Sequence, residues 1–306
     1  MSSSDKIPSN EIDEEYTPPK VWVFEAQGGK FGGTNRPTAG PRDDVELPRG
    51  SHALQLYSLG TPNGVKVTWF LEELNLRYGL EYDAFTIDLN GEQFGKGFTS
   101  ANPNSKIPAL LHYRDGPDAA PIRVFESASI ILYLCEQFDT DHVFLPSSED
   151  NPALRAECLS WLFFVQGSAP FVGGGFGHFY NYAPVKIKYA VDRYALETKR
   201  QLDVLNRRLG GLDGGDGGPY LCGDVYTVAD MVAMPWYGLI VQGKLYSAGE
   251  FLSVNEYEHV LKWAELLSKK LAYHRGRMVN TPWNDEDERL LERHNASDFD
   301  AKRAHL

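Results

Sequence analysis

Residues 61–64, Thr-Pro-Asn-Gly, are of types that could bind an anion at the start of a helix. Threonine is a favourable N-cap, and proline suits the first helical position because it has no amide hydrogen to leave unpaired. The first amides of a helix lack partners and carry a partial positive charge, which stabilises a nearby anion. The Thr61 hydroxyl and the Asn63 amide could donate further hydrogen bonds, so we take both as candidate catalytic residues.

Two further polar segments flank predicted strands. Residues 102–110, Asn-Pro-Asn-Ser-Lys-Ile-Pro-Ala-Leu, place Pro108 just before a strand. Glu126-Ser127 stands at a junction between a strand and a helix, where the helix amides and the serine hydroxyl suit a carboxylate. The Glu126 carboxylate suits an ammonium group.

The cysteines offer no chemistry of their own. Cys135, Cys158 and Cys222 form no CxxC pair and have no spacing typical of metal ligands. This pattern fits a reducing compartment and argues against a disulfide framework. We therefore expect neither a metal site nor a cysteine nucleophile.

The composition limits the partners of the chain. The 306 residues are 42% hydrophobic, which is enough for a sizeable core and favours two domains. The formal net charge of -12 opposes binding to nucleic acid or to an anionic membrane. The amino terminus has no apolar run that would be typical of a secretory signal, and no segment has the length of a membrane span. We expect a cytoplasmic protein.

Apolar periodicity predicts an α/β unit around the polar segments. A strand from Ala53 to Leu59 is followed by a helix that Thr61 caps and that ends near Tyr78. The next predicted elements are a strand at 82–89, hairpin strands at 109–112 and 122–125, and a helix at 128–138. This order is the plan of a thioredoxin-like domain.

Helical patterns dominate the rest of the chain, at 153–166, at 185–209, from 228 onward and at 257–271. Gly173–Gly175 is interpreted as a loop, and Thr227 with Asp230 as a capping box. The predicted organisation is an N-terminal arm (1–50), a thioredoxin-like domain (51–139), a linker (140–152), an all-helical domain (153–280) and a C-terminal tail (281–306). The charged tail is expected to wrap the surface or fray.

Four motifs together resemble the glutathione transferase superfamily. They are Tyr-Ser-Leu-Gly-Thr-Pro-Asn-Gly at 57–64, the segment 102–110, Phe-Glu-Ser-x-x-Ile-x-x-Tyr-Leu at 125–134 and Tyr-Thr-x-Ala-Asp-Met at 226–231. Asn-Arg-Pro at 35–37, Trp-Leu-Phe at 161–163, the segment 173–180 and His-Asn-Ala-Ser-Asp-Phe at 294–299 are more specifically similar to the nu-class of bacterial disulfide-bond reductases. The resemblance runs from about Val21 to Phe299.

The resemblance implies a glutathione-dependent disulfide-bond reductase that uses glutathione as cosubstrate, needs no metal and forms a homodimer. It implies that Thr61 and Asn63, with Pro62, hold the glutathione thiolate in place of the catalytic Tyr, Ser or Cys of other classes. A thiolate is the reactive form of a thiol whose ordinary pKa is about 8.5. Tyr57 and Ser58 are alternative hydroxyls, but we expect Tyr57 in the core.

The same resemblance assigns the remaining binding residues. Ile107-Pro108 resembles a cis-proline turn whose backbone pairs with the cysteinyl part of glutathione, and Glu126 with Ser127 would hold the γ-glutamyl end. Gln93 would contact the glycyl end or a second glutathione. The residues that would help to bind a pair of glutathione molecules are Asn35, Gln166 and Arg193.

Other functions stay open from the sequence. The same site could conjugate glutathione to electrophiles or reduce organic hydroperoxides. A noncatalytic glutathione-binding regulatory protein is disfavoured because Thr61 and Asn63 are both present. Arg193 could instead be a solvated helix charge, Lys106 is a weaker candidate, and His178, among aromatic residues, is expected to be packed.

Overall fold

The computed structural model describes residues 17–25, 28, 32 and 34–302. Within them, a four-stranded sheet with flanking helices is followed by a larger set of helices. The first part of the predicted arm (1–16), a few positions between 26 and 33, and the last four residues of the predicted tail lie outside the described residues.

The sheet contains β1 (Leu54–Ser58), β2 (Asp83–Thr86), β3 (Ala109–His112) and β4 (Ile122–Phe125), in the order β2-β1-β3-β4. Strand β1 is parallel to β2 and antiparallel to β3, which is antiparallel to β4. Helices α1 (Pro62–Tyr78), α2 (Lys96–Ala101) and α3 (Ser127–Phe138) connect or follow the strands. The predicted thioredoxin-like plan is confirmed.

Helix α1 ends where the sequence predicts, because Gly79 adopts a positive φ of 71° and its amide donates to the Asn75 carbonyl oxygen at 2.8 Å. Only a residue without a Cβ adopts this conformation readily. The short helix α2 was not predicted. Its Phe98 is buried in a small second core beside β1 and β2, which stabilises a helix too short to show periodicity.

The second half of the described chain is helical, as predicted. Its α-helices are α4 (Pro152–Pro170), α5 (Lys188–Leu209), α6 (Val228–Ala233), α7 (Leu239–Val241), α8 (Glu258–Leu267) and α9 (Leu271–Met278). Two π-helical segments, Phe171–Tyr182 and Met234–Gly238, continue α4 and α6. The capping box of Thr227 and Asp230 is present.

The prediction of a loop at Gly173–Gly175 is wrong, because these residues lie inside the first π-helical segment. The glycines serve close packing there. A Cβ on Gly173 would lie 2.5 Å from the Trp236 ring, so only glycine lets the two π-helical segments approach each other at this point.

Helix α9 packs against α1 across the boundary between the two halves of the fold. At the contact, a Cβ on Gly276 would lie 2.5 Å from the backbone of Trp69. Thr68 also donates a hydrogen bond from its hydroxyl to the Gly276 carbonyl oxygen at 2.6 Å. The close approach fixes α1 from the side opposite the sheet.

The C-terminal segment enters the core, contrary to the expectation of a surface tail. The Arg293 side chain is fully buried and donates to Glu72 at 3.1 Å, to Glu81 at 2.5 Å and to the Tyr82 carbonyl oxygen at 2.9 Å. Burial raises the pKa of Glu72 and the Arg293 charge opposes this effect. This pairing could not be predicted from the sequence, because the segment is highly charged like a surface tail and Arg293 and Glu72 lie more than two hundred residues apart.

No helix of the described ranges combines the length and the apolar character needed to cross a membrane.

We expect Arg293→Met to lower the free energy of unfolding by about 3–5 kcal/mol, because it removes the nearer counter-charge of the buried Glu72 carboxylate and leaves only Arg275 at 4.0 Å. Urea unfolding followed by circular dichroism measures the change. Arg77→Met is the control, since Arg77 pairs with Asp141 at an exposed site and its loss should change stability by less than about 1 kcal/mol. Equal effects of the two substitutions would contradict the assignment, as would failure of Glu72→Gln to recover part of the loss in the Arg293→Met background.

Candidate functional site

A cavity of about 1400 Å³ lies between the sheet domain and the helical domain. The N-termini of α1 and α3 form one wall, and α4 with the π-helical segment after it forms the opposite wall. All the predicted site residues except Arg193 line this cavity: Asn35, Thr61, Pro62, Asn63, Gln93, Ile107, Pro108, Glu126, Ser127 and Gln166. The fold therefore brings together residues that are far apart in the sequence.

Thr61 is the N-cap of α1 and borders the cavity. Its Oγ1 accepts a hydrogen bond from the Gly64 amide at 3.3 Å, and its hydroxyl donates to the Leu59 carbonyl oxygen at 3.4 Å. Both contacts are long, so a ligand atom with stronger acceptor character can compete for the hydroxyl hydrogen. The residue thus combines the structural cap with a donor at the cavity wall.

Asn63 is oriented by a residue of the helical domain that sequence reasoning missed. The Trp236 indole Nε1 donates to the Asn63 Oδ1 at 2.9 Å. Because the amide oxygen is engaged, the two amide hydrogens stay available as donors. Trp236 is 8% exposed and lines the same cavity. Nothing in its local sequence indicates the role, since the contact joins residues 173 positions apart.

The junction before α3 also joins the two domains. Glu126, at the N-cap of α3, has a φ of 68°, which is unusual for a residue with a Cβ and holds its side chain in a fixed direction. Its Oε2 accepts from the Gln166 side-chain amide at 2.9 Å, and its Oε1 accepts weakly from Asn104 at 3.5 Å. Ser127 follows as the buried first residue of the helix.

Three further predicted residues complete the wall. The Ile107-Pro108 peptide bond is cis, in agreement with the resemblance to a cis-proline turn. Gln93 is 5% exposed and donates from Nε2 to the Leu89 carbonyl oxygen at 2.8 Å. Its buried Oε1 has no hydrogen-bond partner among the described residues, so this oxygen is an acceptor available to a ligand.

Lys66 is the second cavity residue that sequence reasoning missed. It is 2% exposed, lies on α1 three residues after Asn63, and lines the cavity. Within the described residues it makes no ion pair, and its one charge interaction is with Glu126. Burial lowers the pKa of the Lys66 ammonium to about 7, although the Glu126 charge opposes the shift. Its neighbours Val65 and Val67 did not indicate this burial, because lysine is rarely buried without a partner.

The structure also decides the expectations for Arg193, His178 and Tyr57. Arg193 is exposed on α5 and does not line the cavity. His178 is exposed at the cavity with its ring against Phe179, so the expectation that it is packed is wrong. Tyr57 is buried as expected, and its hydroxyl donates to the Pro48 carbonyl oxygen at 2.7 Å.

The cavity wall contains no cysteine. Cys135, Cys158 and Cys222 are buried and form no disulfide bond, and none of them lines the cavity. Burial raises the pKa of the Cys135 thiol well above its ordinary value. No group of three or more His, Cys, Asp or Glu residues suited to a metal ion occurs in the part of the chain that the structure describes.

We expect Lys66→Met to stabilise the free protein at neutral pH by roughly 2–4 kcal/mol. The folded state lowers the pKa of Lys66 to about 7, whereas the unfolded value is 10.5. Between these values the unfolded chain binds more protons, so the wild-type free energy of unfolding rises with pH. Urea unfolding at several pH values should show the advantage of Lys66→Met shrinking as the pH increases. An advantage that is constant or grows with pH would contradict the assignment.

Residues 61–137 match the family model for the N-terminal domain of glutathione S-transferases. The disulfide-bond oxidoreductase YghU of Escherichia coli is 50% identical over 94% of this chain and 96% of its own length.

Two solved structures extend the similarity to the whole fold. Glutathione transferase YghU from Streptococcus pneumoniae, complexed with glutathione, has a TM-score of 0.78 and 49% identity, covering 86% of this chain and 97% of that one. A glutathione transferase family member from Pseudomonas fluorescens with two glutathione bound has a TM-score of 0.63 and 34% identity, covering 73% and 92%. These similarities confirm the resemblance found in the motifs, and the chain belongs to the glutathione transferase family.

Proposed function

We propose that this protein is a glutathione-dependent disulfide-bond reductase, which reduces a small disulfide with the thiol of glutathione. The observation that carries the proposal is the cavity wall, where the capped N-terminus of α1 and the N-terminus of α3 face one space without a protein thiol. The relative from Escherichia coli, named a disulfide-bond oxidoreductase, supports the same activity.

The wall suits the three parts of glutathione. The α3 amides and the Ser127 hydroxyl bind the γ-glutamyl carboxylate, and the Glu126 carboxylate accepts from its ammonium group. The backbone of Ile107 pairs with the cysteinyl part in the manner of a β-strand. Gln93 presents its free Oε1 toward the glycyl end or toward a second molecule.

The bound sulfur lies at the N-terminus of α1 in this proposal. The amides there, the Thr61 hydroxyl and the Asn63 side-chain amide donate to the sulfur and stabilise it as a thiolate. The thiolate attacks the disulfide substrate, forms a mixed disulfide and releases the other half as a thiol. A second glutathione resolves the mixed disulfide and leaves as glutathione disulfide.

The size of the cavity supports binding of two glutathione molecules. Small-molecule sites commonly occupy about 300–1000 Å³, whereas this cavity has about 1400 Å³. Asn35 and Gln166 line the same cavity, and we propose that they help to hold the pair. The relative from Pseudomonas fluorescens binds two glutathione molecules. Arg193 is proposed to contribute only if its exposed side chain turns toward the ligand.

Conjugation of glutathione to apolar electrophiles, or reduction of organic hydroperoxides, is the second candidate function. Its support is an aromatic part of the cavity wall formed by Phe179, Tyr182, Trp236 and Tyr246. A noncatalytic regulatory role is the weakest candidate, because Thr61 and Asn63 both lie at the cavity.

We further propose that the protein is cytoplasmic, that it forms a homodimer, and that its two domains comprise residues 51–139 and 153–280.

We expect the wild-type protein to reduce hydroxyethyl disulfide with glutathione at least about tenfold faster, in kcat/KM, than it conjugates chlorodinitrobenzene. Glutathione reductase with NADPH reports the first reaction, and absorbance of the conjugate reports the second. The control is a variant with Cys135→Ala, Cys158→Ala and Cys222→Ala, which should keep its disulfide activity. Faster conjugation would favour the transferase function, and loss of activity in the folded cysteine-free variant would contradict the mechanism.

Thr61→Ala should lower kcat/KM for the disulfide by about 10- to 100-fold, because it removes a donor to the thiolate. It should also cost about 1 kcal/mol of stability through loss of the N-cap. Thr61→Ser keeps the hydroxyl and should retain most of the activity. If the alanine variant, shown by urea unfolding to be folded, turns over like the wild type, then Thr61 is a cap and nothing more.

A further inference from the structure

Lys66 is a buried ionisable side chain that has no counter-charge at ion-pair distance among the residues that the structure describes. The other buried charge on α1, Glu72, is paired with Arg293 at 3.1 Å. Lys66 is equally buried, at 2% exposed, but forms no ion pair or side-chain hydrogen bond in the described part of the chain. A buried cation without a partner is costly, so its presence at a cavity wall calls for a ligand that interacts with it.

The helix geometry directs Lys66 to the sulfur position. Residues three apart on a helix share a face, and side chains lean toward the helix N-terminus. Lys66 and Asn63 both line the cavity and are spaced to share one face of α1. The proposed function places the thiol at this face.

We propose that Lys66 is a catalytic residue that accepts the proton of the glutathione thiol at Nζ and then stabilises the resulting thiolate as an ammonium ion. The inference rests on the proposed function and adds to it the group that moves the proton. The N-terminus of α1 stabilises the thiolate but cannot take a proton, because its amides are donors only. Lys66 supplies a proton acceptor on α1 itself, three residues after Asn63.

Lys66 accepts a proton and later returns it, so the reaction is balanced in protons. The S–H bond of the first glutathione breaks, its proton goes to the neutral Lys66 amine, and the thiolate attacks one sulfur of the substrate. One S–S bond forms as another breaks, and the leaving thiolate takes the proton from the Lys66 ammonium. The second glutathione repeats the transfer while it resolves the mixed disulfide. The substrate disulfide is reduced, and two glutathione molecules are oxidised to their disulfide.

The surroundings permit both protonation states near neutral pH. Burial favours the neutral amine, and the charge of Glu126, which also lines the cavity, favours the ammonium ion. Glu126 is the one charged group with a resolved effect on Lys66 among the described residues. The other titratable groups on the wall are Lys106, His178, Tyr182, Lys186 and Tyr246.

Three variants test the assignment. Lys66→Met has a similar shape and no ionisable group, and Lys66→Arg keeps the charge but does not release its proton near neutral pH. Lys262→Met is the control for loss of one positive charge, because Lys262 is an exposed residue of α8 away from the cavity. Urea unfolding shows whether each variant is folded before its activity is compared.

The first readout is the ultraviolet absorbance of the bound thiolate as a function of pH. We expect Lys66→Met to raise the apparent pKa of bound glutathione by about one unit or more, and to lower kcat/KM for hydroxyethyl disulfide by about 10- to 100-fold. Lys262→Met should change neither quantity. An unchanged thiolate titration together with kcat/KM within about twofold of wild type would overturn the proposal.

Calorimetry of glutathione binding in buffers of different ionisation enthalpy follows the proton itself. At mildly alkaline pH the wild type should form thiolate with little proton release, because Lys66 retains the proton. Lys66→Arg should form thiolate and release close to one proton. Equal release from the two proteins would overturn the role as proton acceptor.

S-methylglutathione distinguishes this role from simple binding, because it has no thiol proton. Lys66→Met should bind it within about twofold of wild type. A large loss of this binding would place Lys66 at a carboxylate of glutathione and overturn the proposal. If instead the wild type binds glutathione but does not reduce the disulfide, then the proposed function fails, whereas the thiolate and calorimetric readouts still decide the role of Lys66.

Discussion

Helix α1 is buried on nearly every side, and the site depends on this constraint. Most of its residues from Gly64 to Asn75 are buried, including two ionisable side chains. Helices α3, α6 and α9 pack against it, and its apolar side chains share one core cluster with those of the sheet. The backbones of Gly276 and Trp69 approach so closely that a Cβ on Gly276 would lie 2.5 Å from the backbone of Trp69. Only its N-terminus opens onto the cavity. A helix terminus that is held in this way keeps its unpaired amides directed at one point in space.

The two buried charges on α1 are treated differently by the fold. Glu72 is neutralised by Arg293, which anchors the C-terminal segment in the core. Lys66 lines the cavity and has no such partner in the described part of the chain. The first arrangement stabilises the structure, and the second places a titratable group beside the position that we propose for the substrate thiol. This contrast is the physical basis of the role that we infer for Lys66.

The site is also a junction between domains. Trp236 holds the Asn63 side chain, and Gln166 holds Glu126, so the helical domain orients groups that the thioredoxin-like domain contributes. A ligand in the cavity contacts both halves of the fold. The absence of cysteine from the wall, within the described residues, means that the sulfur chemistry must be supplied by the substrates.

The sequence by itself determined much of this protein. The cap at Thr61, the stop at Gly79, the hairpin strands and the capping box at Thr227 depend on local conformational preferences, so they could be predicted from neighbouring residues. The motifs also identified the family, and the predicted site residues other than Arg193 line the cavity. The π-helical conformation of Gly173–Gly175 could not be predicted. The reason for glycine at position 173 is the ring of Trp236, which is distant in the sequence and leaves no room for a Cβ.

Tertiary structure alone decided which charges are buried and what they meet. Arg293 looked like part of a charged surface tail, and Lys66 like an ordinary helix residue, because local sequence does not show desolvation. Arg193 lies outside the cavity although its position along the chain suggested a contact. These differences have one physical cause: the energy of a charge depends on the groups and the solvent around it, and in this fold those groups come from distant parts of the chain.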